Sequence, residues 1–116
     1  MPLIEIQTVP QPEGVDLASV SRRLNAAVAE ALGCRLEAVW TTWRTIDGAY
    51  ARGDRVSTGQ TTAFGPLVHV YHHRTPEEVD LVVEAIEIVL ARELSLAPDD
   101  VFVTTQPVAT PDATLP

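Results

Sequence analysis

The sequence of 116 residues has one cysteine, Cys34, and only 5% aromatic residues. A single cysteine cannot form a disulfide within the chain. A nucleophilic thiol and a small residue beside a helix end are both open for Cys34, and the second is the more common role. No apolar run approaches the roughly 18 residues that a membrane span needs, so we expect no membrane partner.

Basic residues are also scarce. The chain has 8 Lys and Arg against 16 Asp and Glu, a formal charge of −8, which disfavours nucleic acid because phosphate binding needs clustered cations. A small anionic substrate stays open, since it needs only one or two well-placed arginines. No charged-then-apolar leader precedes the first apolar run, so we expect a cytoplasmic protein.

The first half of the chain contains a strand, helix, strand pattern. Residues 3–9 are rich in β-formers and predict a strand, and residues 38–46 predict another. Between them, Asp16 is a predicted N-cap and Gly33 a predicted C-cap of an amphipathic helix. Residues 2–46 therefore predict a βαβ unit with a parallel strand pair and a right-handed crossover.

The same pattern restarts at Pro66. Residues 67–73 predict a strand, and Thr75-Pro76-Glu77-Glu78 has the composition of a capping box with proline at the first helical position. Residues 101–105 predict the last strand, so residues 66–105 form a second βαβ unit. The glycine-rich linker 47–65 predicts a loop or hairpin with at most a short strand, and residues 107–116 predict an irregular tail.

Two such units predict an α+β domain over residues 1–106, with a four-stranded sheet and two helices on one face. Pro2-Leu3-Ile4-Glu5-Ile6 corresponds to Pro66-Leu67-Val68-His69-Val70, which supports a tandem βαβ repeat. The other face of the sheet would be bare, and association of identical subunits is the economical way to cover it.

Three features in this order and spacing resemble the tautomerase superfamily: the Pro2-Leu3-Ile4-Glu5-Ile6 start, the Leu32-Gly33 turn and the stretch 94–103. The relatives in view are 4-oxalocrotonate tautomerase, 5-carboxymethyl-2-hydroxymuconate isomerase and macrophage migration inhibitory factor. The resemblance covers about residues 2–106. It implies the fold of the inhibitory factor, a homotrimer with active sites near the subunit interfaces, and chemistry without a cofactor.

Pro2 is the candidate catalytic base. A small second residue normally allows removal of Met1, which would free a secondary amine, and an α-amino group has a pKa of about 8 as a class. An apolar pocket or a nearby cation would lower that pKa towards the value that enol–keto proton transfer needs. With Met1 retained, the nitrogen is an amide and no base. The alternative is that Pro2 only blocks an edge strand; Pro66 in the second repeat is always an amide.

Arg74 is the first candidate for binding the substrate carboxylate and the developing enolate. It precedes the predicted cap, where 4-oxalocrotonate tautomerase-like chains carry a carboxylate-binding arginine. The alternative is a solvated arginine that complements Glu77 and Glu78. Arg35 is a second candidate, next to the slot in which the inhibitory factor type has a lysine and this chain has Cys34.

Further candidates for substrate binding lie on the predicted strands. Trp40 fills a slot where 4-oxalocrotonate tautomerase-like chains carry a second arginine, which weighs against a dicarboxylate substrate unless Arg44 on the same strand face replaces it. Trp40 and Phe102 could line an apolar pocket, although such aromatics more often belong to a core or interface. Phe102 and Thr104 match aromatic and polar pocket positions of the inhibitory factor type.

The three histidines do not predict a metal site. On a strand, His69 and His73 share one face while His72 points to the other, so three ligands would not converge. His73, next to Arg74, is the better candidate for a polar pocket residue.

We therefore expect a cofactor-independent tautomerase that acts on a small 2-hydroxy or 2-keto carboxylate. Dehalogenase or decarboxylase chemistry would need an added acidic or tyrosine group, for which Glu5, Glu37 and Tyr50 are unassigned. A ferredoxin-like binding module without chemistry is the alternative from another class.

Overall fold

A computed structural model describes residues 2–46, 49–52, 55–58 and 65–109, and for 49–52 and 55–58 it describes the backbone alone. Short 3₁₀ turns at Leu36–Ala38 and Pro98–Asp100 precede the second and the last strand. The helices and strands in chain order are β1 (Leu3–Thr8), α1 (Leu17–Leu32), β2 (Trp40–Thr45), β3 (Ala49–Arg52), β4 (Arg55–Thr58), β5 (Leu67–His72), α2 (Pro76–Glu93) and β6 (Phe102–Pro107).

The main sheet has the strand order β2-β1-β5-β6. Each βαβ unit contributes a parallel pair, β1 with β2 and β5 with β6, and the two units meet through the antiparallel pair β1 and β5 in the centre. The predicted α+β fold with a tandem βαβ repeat and two helices on one face of a four-stranded sheet is confirmed. Neither helix in the described part of the chain is long and apolar enough to cross a membrane.

The linker between the two units adopts the hairpin form. β3 and β4 pair antiparallel, with Ala49 opposite Thr58 and Ala51 opposite Val56, as a two-stranded sheet separate from the main one. The linker thus contains two short strands where at most one was predicted. A lone short strand leaves its backbone groups unpaired, and a hairpin partner satisfies them locally.

Both helices begin and end where their capping residues predict. The Asp16 carboxylate accepts a hydrogen bond from the backbone N–H of Ala18 at 3.2 Å, and Gly33 ends α1 in the left-handed conformation with φ 64°. At α2 the Thr75 hydroxyl accepts from the N–H of Glu78, and the Glu78 carboxylate accepts from the N–H of Thr75 at 3.1 Å. These local bonds satisfy donors that the helix itself leaves free.

The core lies between the helices and one face of the sheet. Along β1 and β5, buried side chains alternate with side chains that face away from the helices, as the period of a strand requires. Largest among the fully buried side chains are Ile4 and Ile6 of β1, Leu24 of α1, and Ile86 and Leu90 of α2.

The opposite side of the sheet, here called the outer face, has no cover within the described chain. Its side chains form three rows across the strands. Two rows contain large exposed apolar groups, among them Trp40 at 59%, Phe102 at 63% and Leu67 at 45% exposure. A polar row lies between them. The rows are Trp40, Leu3, Tyr71 and Gln106; Thr42, Glu5, His69 and Thr104; Arg44, Gln7, Leu67 and Phe102.

Substitutions of two isoleucines that lie two residues apart on α2 test this packing. Ile86 is fully buried and Ile88 is 51% exposed. We expect Ile86→Ala to lower the free energy of unfolding by about 2–5 kcal/mol, since it removes buried carbons and leaves a cavity. The matched variant Ile88→Ala should change it by about 0.5 kcal/mol or less. Urea unfolding at one protein concentration measures both, and equal losses would contradict the assigned packing.

Candidate active site

Pro2 lies at the edge of the sheet where β1 begins. Its side chain is under 2% exposed, and its carbonyl oxygen accepts a hydrogen bond from the N–H of Trp40 at 3.0 Å. By strand alternation it faces the helices with Ile4. Continuing the antiparallel register of β1 and β5 by one residue places Pro2 opposite His72. The start of β1 and the end of β5 therefore meet at the same edge.

Arg74 follows the end of β5 at this edge, and its side chain is 23% exposed. One terminal nitrogen, Nη1, donates to the Glu78 carboxylate at 3.4 Å, whereas Nε is buried and has no hydrogen-bond partner among the described residues. A buried donor without a partner costs about 1–3 kcal/mol, and native proteins pair nearly all such groups. A planar anion such as a carboxylate would satisfy this nitrogen.

Glu78 holds this arginine and also begins the helix. The hydrogen bond from the backbone N–H of Thr75 is the main cause that lowers the pKa of Glu78, and the Arg74 guanidinium adds to it. The carboxylate therefore stays charged and orients one side of the guanidinium. Pairing with Glu78 is what the solvated-arginine alternative expected, but it uses only one of the nitrogens and leaves Nε free.

A cavity of about 320 Å³ lies beside Arg74, between the end of β5, the end of β6 and the start of α2. His72 contributes to it from the helix-facing side of β5 and is 8% exposed. Its Nδ1 accepts a hydrogen bond from the backbone N–H of Arg74 at 3.2 Å. The full lining is His72, Arg74, Pro76, Val79, Asp80, Thr105 and Pro107.

Sequence reasoning did not select His72. The signal was present, because Val68 and Val70 are two and four residues earlier on the same strand, and a residue in phase with them faces the core. His73, which was selected, is exposed and does not line the cavity. Arg35 is also exposed, with 88% of its side chain accessible, and it forms an ion pair with Glu37 at 3.2 Å.

Four other predicted substrate-binding residues lie on the outer face. Trp40 donates its indole N–H to the Glu37 carbonyl oxygen at 3.1 Å, and the Thr104 hydroxyl donates to the Val68 carbonyl oxygen at 3.3 Å. A second cavity, of about 270 Å³, has Phe102 and Thr104 in its lining. One chain therefore does not bring Trp40, Arg44, Phe102 and Thr104 together with Arg74.

The histidines occupy opposite sides of the sheet. His69 lies on the outer face, where Nδ1 contacts the Thr104 hydroxyl and Nε2 contacts the Gln106 amide oxygen at 3.1 Å. His72 lies on the helix side, as strand alternation predicts. Among the described residues, no three His, Cys, Asp or Glu side chains are grouped so as to hold a metal ion.

Comparison with solved structures identifies the fold. A fused 4-OT aligns with a TM-score of 0.81 at 17% identity, over 95% of this chain and 89% of that one. The chain has the fold of the tautomerase superfamily. The sequence resemblance to the tautomerase superfamily, over about residues 2–106, is thereby confirmed for the fold.

Other solved structures align over nearly the whole chain. Pt0534 inactivated by 2-oxo-3-pentynoate gives a TM-score of 0.73 at 17% identity, over 97% of this chain and 92% of that one. A member of the cis-3-chloroacrylic acid dehalogenase family gives 0.73 at 18% identity, over 97% and 78%. No protein-family model and no curated protein matches the sequence. The likeness is therefore one of tautomerase fold, at low sequence identity.

Substitutions of Glu78 and of its neighbour Glu77 test how much the charge of Glu78, the partner of Arg74, stabilises the protein. We expect Glu78→Gln to lower the free energy of unfolding at pH 7 more than Glu77→Gln, which removes the same charge from an exposed position. The folded pKa of Glu78 lies below its ordinary value of 4.5, so its contribution is complete above pH 4.5 and is lost as the pH falls through the folded pKa.

The two proteins, wild type and Glu78→Gln, should therefore converge in stability at low pH. Urea unfolding at pH 7 and pH 3 measures this. A stability difference that is the same at both pH values would show that the Glu78 charge has no role.

Proposed function

We propose that the protein is a cofactor-independent tautomerase that moves a proton between oxygen and carbon of a small 2-hydroxy or 2-keto carboxylate. Pro2 is the base and Arg74 the carboxylate anchor. The observation that carries the proposal is the buried, unpaired Nε of Arg74, beside a cavity at the edge where Pro2 begins β1, in a tautomerase fold.

The proton transfer needs one group that both accepts and returns the proton. With Met1 removed, the neutral Pro2 amine takes the proton of the 2-hydroxyl group, and negative charge spreads over the enolate. The guanidinium of Arg74 stabilises that charge while it holds the carboxylate. The pyrrolidinium then returns the proton to carbon 3, which yields the 2-keto acid and restores the amine, so that no oxidant or cofactor is required.

A homotrimer would cover the outer face. Another fused 4-OT to which this chain is similar, with a TM-score of 0.74, is described as a symmetric trimer. The apolar rows that contain Trp40 and Phe102 supply surface for such contacts, because exposed patches of this kind are typical of interfaces. In the trimer, Trp40, Arg44, Phe102 and Thr104 of one subunit would approach the active site of another.

A second candidate function is addition of water to an unsaturated acid, the chemistry of a hydratase-type dehalogenase, or decarboxylation. Addition of water requires an extra acidic group to activate the water, and decarboxylation requires a group that orients the departing carboxylate. Asp80 on α2 lines the Arg74 cavity. In this candidate function Asp80 would be the acidic group, a residue that the sequence analysis did not select. Release of halide from a 3-haloacrylate or of carbon dioxide from a 3-oxo acid, lost in Asp80→Asn, would favour this candidate over ketonisation.

The state of the Pro2 nitrogen is the first test. We expect an N-terminally extended chain, in which Pro2 is retained but its nitrogen is an amide, to lose ketonisation of a conjugated 2-hydroxy-2-enoate by about 10²–10⁴-fold. Pro2→Ala should also lose it and keep the trimer mass in light scattering. Retained ketonisation activity in the extended chain would contradict the role of Pro2 as the base.

Covalent labelling identifies the reactive nitrogen in the same proteins. The sequence contains no lysine, so a processed chain has its α-amino group as the sole amine. Treatment with 2-oxo-3-pentynoate should add one label per processed chain and none per extended chain. Cys34→Ser is the control, because the thiol is the other nucleophile. An intact mass that retains Met1 in the purified protein would favour the non-catalytic module.

Arg74 is the second test. We expect Arg74→Gln to lower kcat/KM by about a hundredfold, because loss of one partner of a buried charged hydrogen-bonded pair costs about 2–5 kcal/mol. The change should appear as a higher KM, because the carboxylate is bound in the ground state, and as a lower kcat, because Arg74 also stabilises the enolate charge. Arg22→Gln on the exposed side of α1 is the matched control. Equal kinetics in the two variants would remove Arg74 from the site.

A further inference from the structure

His72 is a polar ring at a core-facing position of β5. Val68 and Val70 precede it on the same face, and all three are buried. Burial of a polar group costs free energy unless each of its polar atoms finds a partner. An aliphatic side chain in phase with the two valines would have no polar atoms to pair, so the two ring nitrogens are what distinguish His72 from its neighbours on this face.

The hydrogen bond at one ring nitrogen determines the state of the other. Nδ1 accepts from the backbone N–H of Arg74 at 3.2 Å, and an accepting nitrogen must hold a lone pair. The neutral ring therefore carries its proton on Nε2, which is a donor. Across residues 2–46 and 65–109, where side chains are described, no protein group accepts a hydrogen bond from His72 Nε2. This nitrogen is not among the buried atoms without a partner, so it is accessible to solvent or to a ligand.

Two donors without partners thus belong to residues that line one cavity. Arg74 offers its buried Nε. His72 offers an accessible Nε2–H, and both residues line the cavity. The cavity of about 320 Å³ has room for a small acid of a few carbon atoms. A carboxylate with one further oxygen close to it can satisfy both donors, with the carboxylate at Arg74 and the further oxygen at His72.

The register of the sheet, continued by one residue, puts His72 next to the proposed base. Pro2 lies opposite His72 across the antiparallel pair, and neighbouring strands are about 5 Å apart. Arg74 is two residues further along the chain than His72. A substrate oxygen bound at His72 would therefore lie nearer to Pro2 than a substrate carboxylate bound at Arg74 would.

We infer that His72 donates a hydrogen bond from Nε2 to the 2-oxygen of the substrate, while Arg74 binds its carboxylate. The inference rests on the proposed function and adds the residue that would make the site prefer 2-oxygenated carboxylates to simple carboxylates. His72 keeps its proton throughout. The transferred proton moves from the 2-hydroxyl group to Pro2 and then to carbon 3, and the His72 bond strengthens as charge develops on the oxygen.

Two substitutions of His72 test the roles of its two ring nitrogens separately. An asparagine amide places its oxygen near the position of Nδ1, so His72→Asn keeps the acceptor for the Arg74 N–H and lacks the distal donor. A glutamine amide reaches the position of Nε2, so His72→Gln keeps the distal donor. Binding of 2-oxobutanoate and butanoate, which differ only in the 2-oxygen, is measured by NMR titration, with urea unfolding as the check of folding.

The wild-type protein should bind 2-oxobutanoate about three- to tenfold more tightly than butanoate, the factor that one neutral hydrogen bond gives. His72→Gln should keep most of this preference and His72→Asn should lose it. For ketonisation, His72→Asn should lower kcat/KM by about ten- to a hundredfold, because the bond in the transition state is to a charged oxygen.

The reverse order, with preference kept in His72→Asn and lost in His72→Gln, would assign His72 a structural role through Nδ1 and overturn the inference. Equal binding of the two acids by the wild-type protein would overturn it even where the variants fail to fold. The same titration in Pro2→Ala separates this inference from the proposed function. There the binding preference should persist while ketonisation is lost, so each can fail without the other.

Discussion

The antiparallel pairing of β1 with β5 determines where every other element of the sheet lies. Each of these strands already has a parallel partner from its own βαβ unit, and their mutual pairing joins two half-sheets into one. The register has Ile4 opposite Val70 and Ile6 opposite Val68, so both strands bury the same face under α1 and α2. A slip by one residue would turn the apolar side chains of one strand to the outer face.

The same register assembles the candidate active site. Because the two central strands run in opposite directions, the start of β1 and the end of β5 share an edge, and Pro2, His72 and Arg74 meet there. Helix α2 begins at this edge with Pro76 in the cavity lining. The N-terminal end of a helix carries partial positive charge. Together with Arg74 it places positive charge in the cavity of a chain of formal charge −8, beside the carboxylates of Glu78 and Asp80.

Some site residues could be predicted from the sequence and others could not. Pro2 and Arg74 were selected by position, at a strand start and before a helix cap, and the structure places them at one edge. Trp40 and Phe102 were selected in the same way but lie on the outer face. The difference is physical: alternation along a strand tells which residues share a face, while the site is built where strand ends and a helix start converge. The same holds for His72. Strand alternation predicts that it is buried, but only the cavity beside it makes it a candidate site residue.

By itself the sequence determined the local structure. The caps at Asp16, Gly33 and Thr75 act through bonds to residues at most four positions away, and the apolar periods of the helices and strands are readable along the chain. Only the tertiary structure decided that Arg74 has a buried Nε without a partner and that His72 lines the same cavity. It also decided that Leu3 pairs with Tyr71, and this register continued by one residue places Pro2 opposite His72. These facts depend on the register between strands more than sixty residues apart, which is set by the packing of the whole core and leaves no local signal.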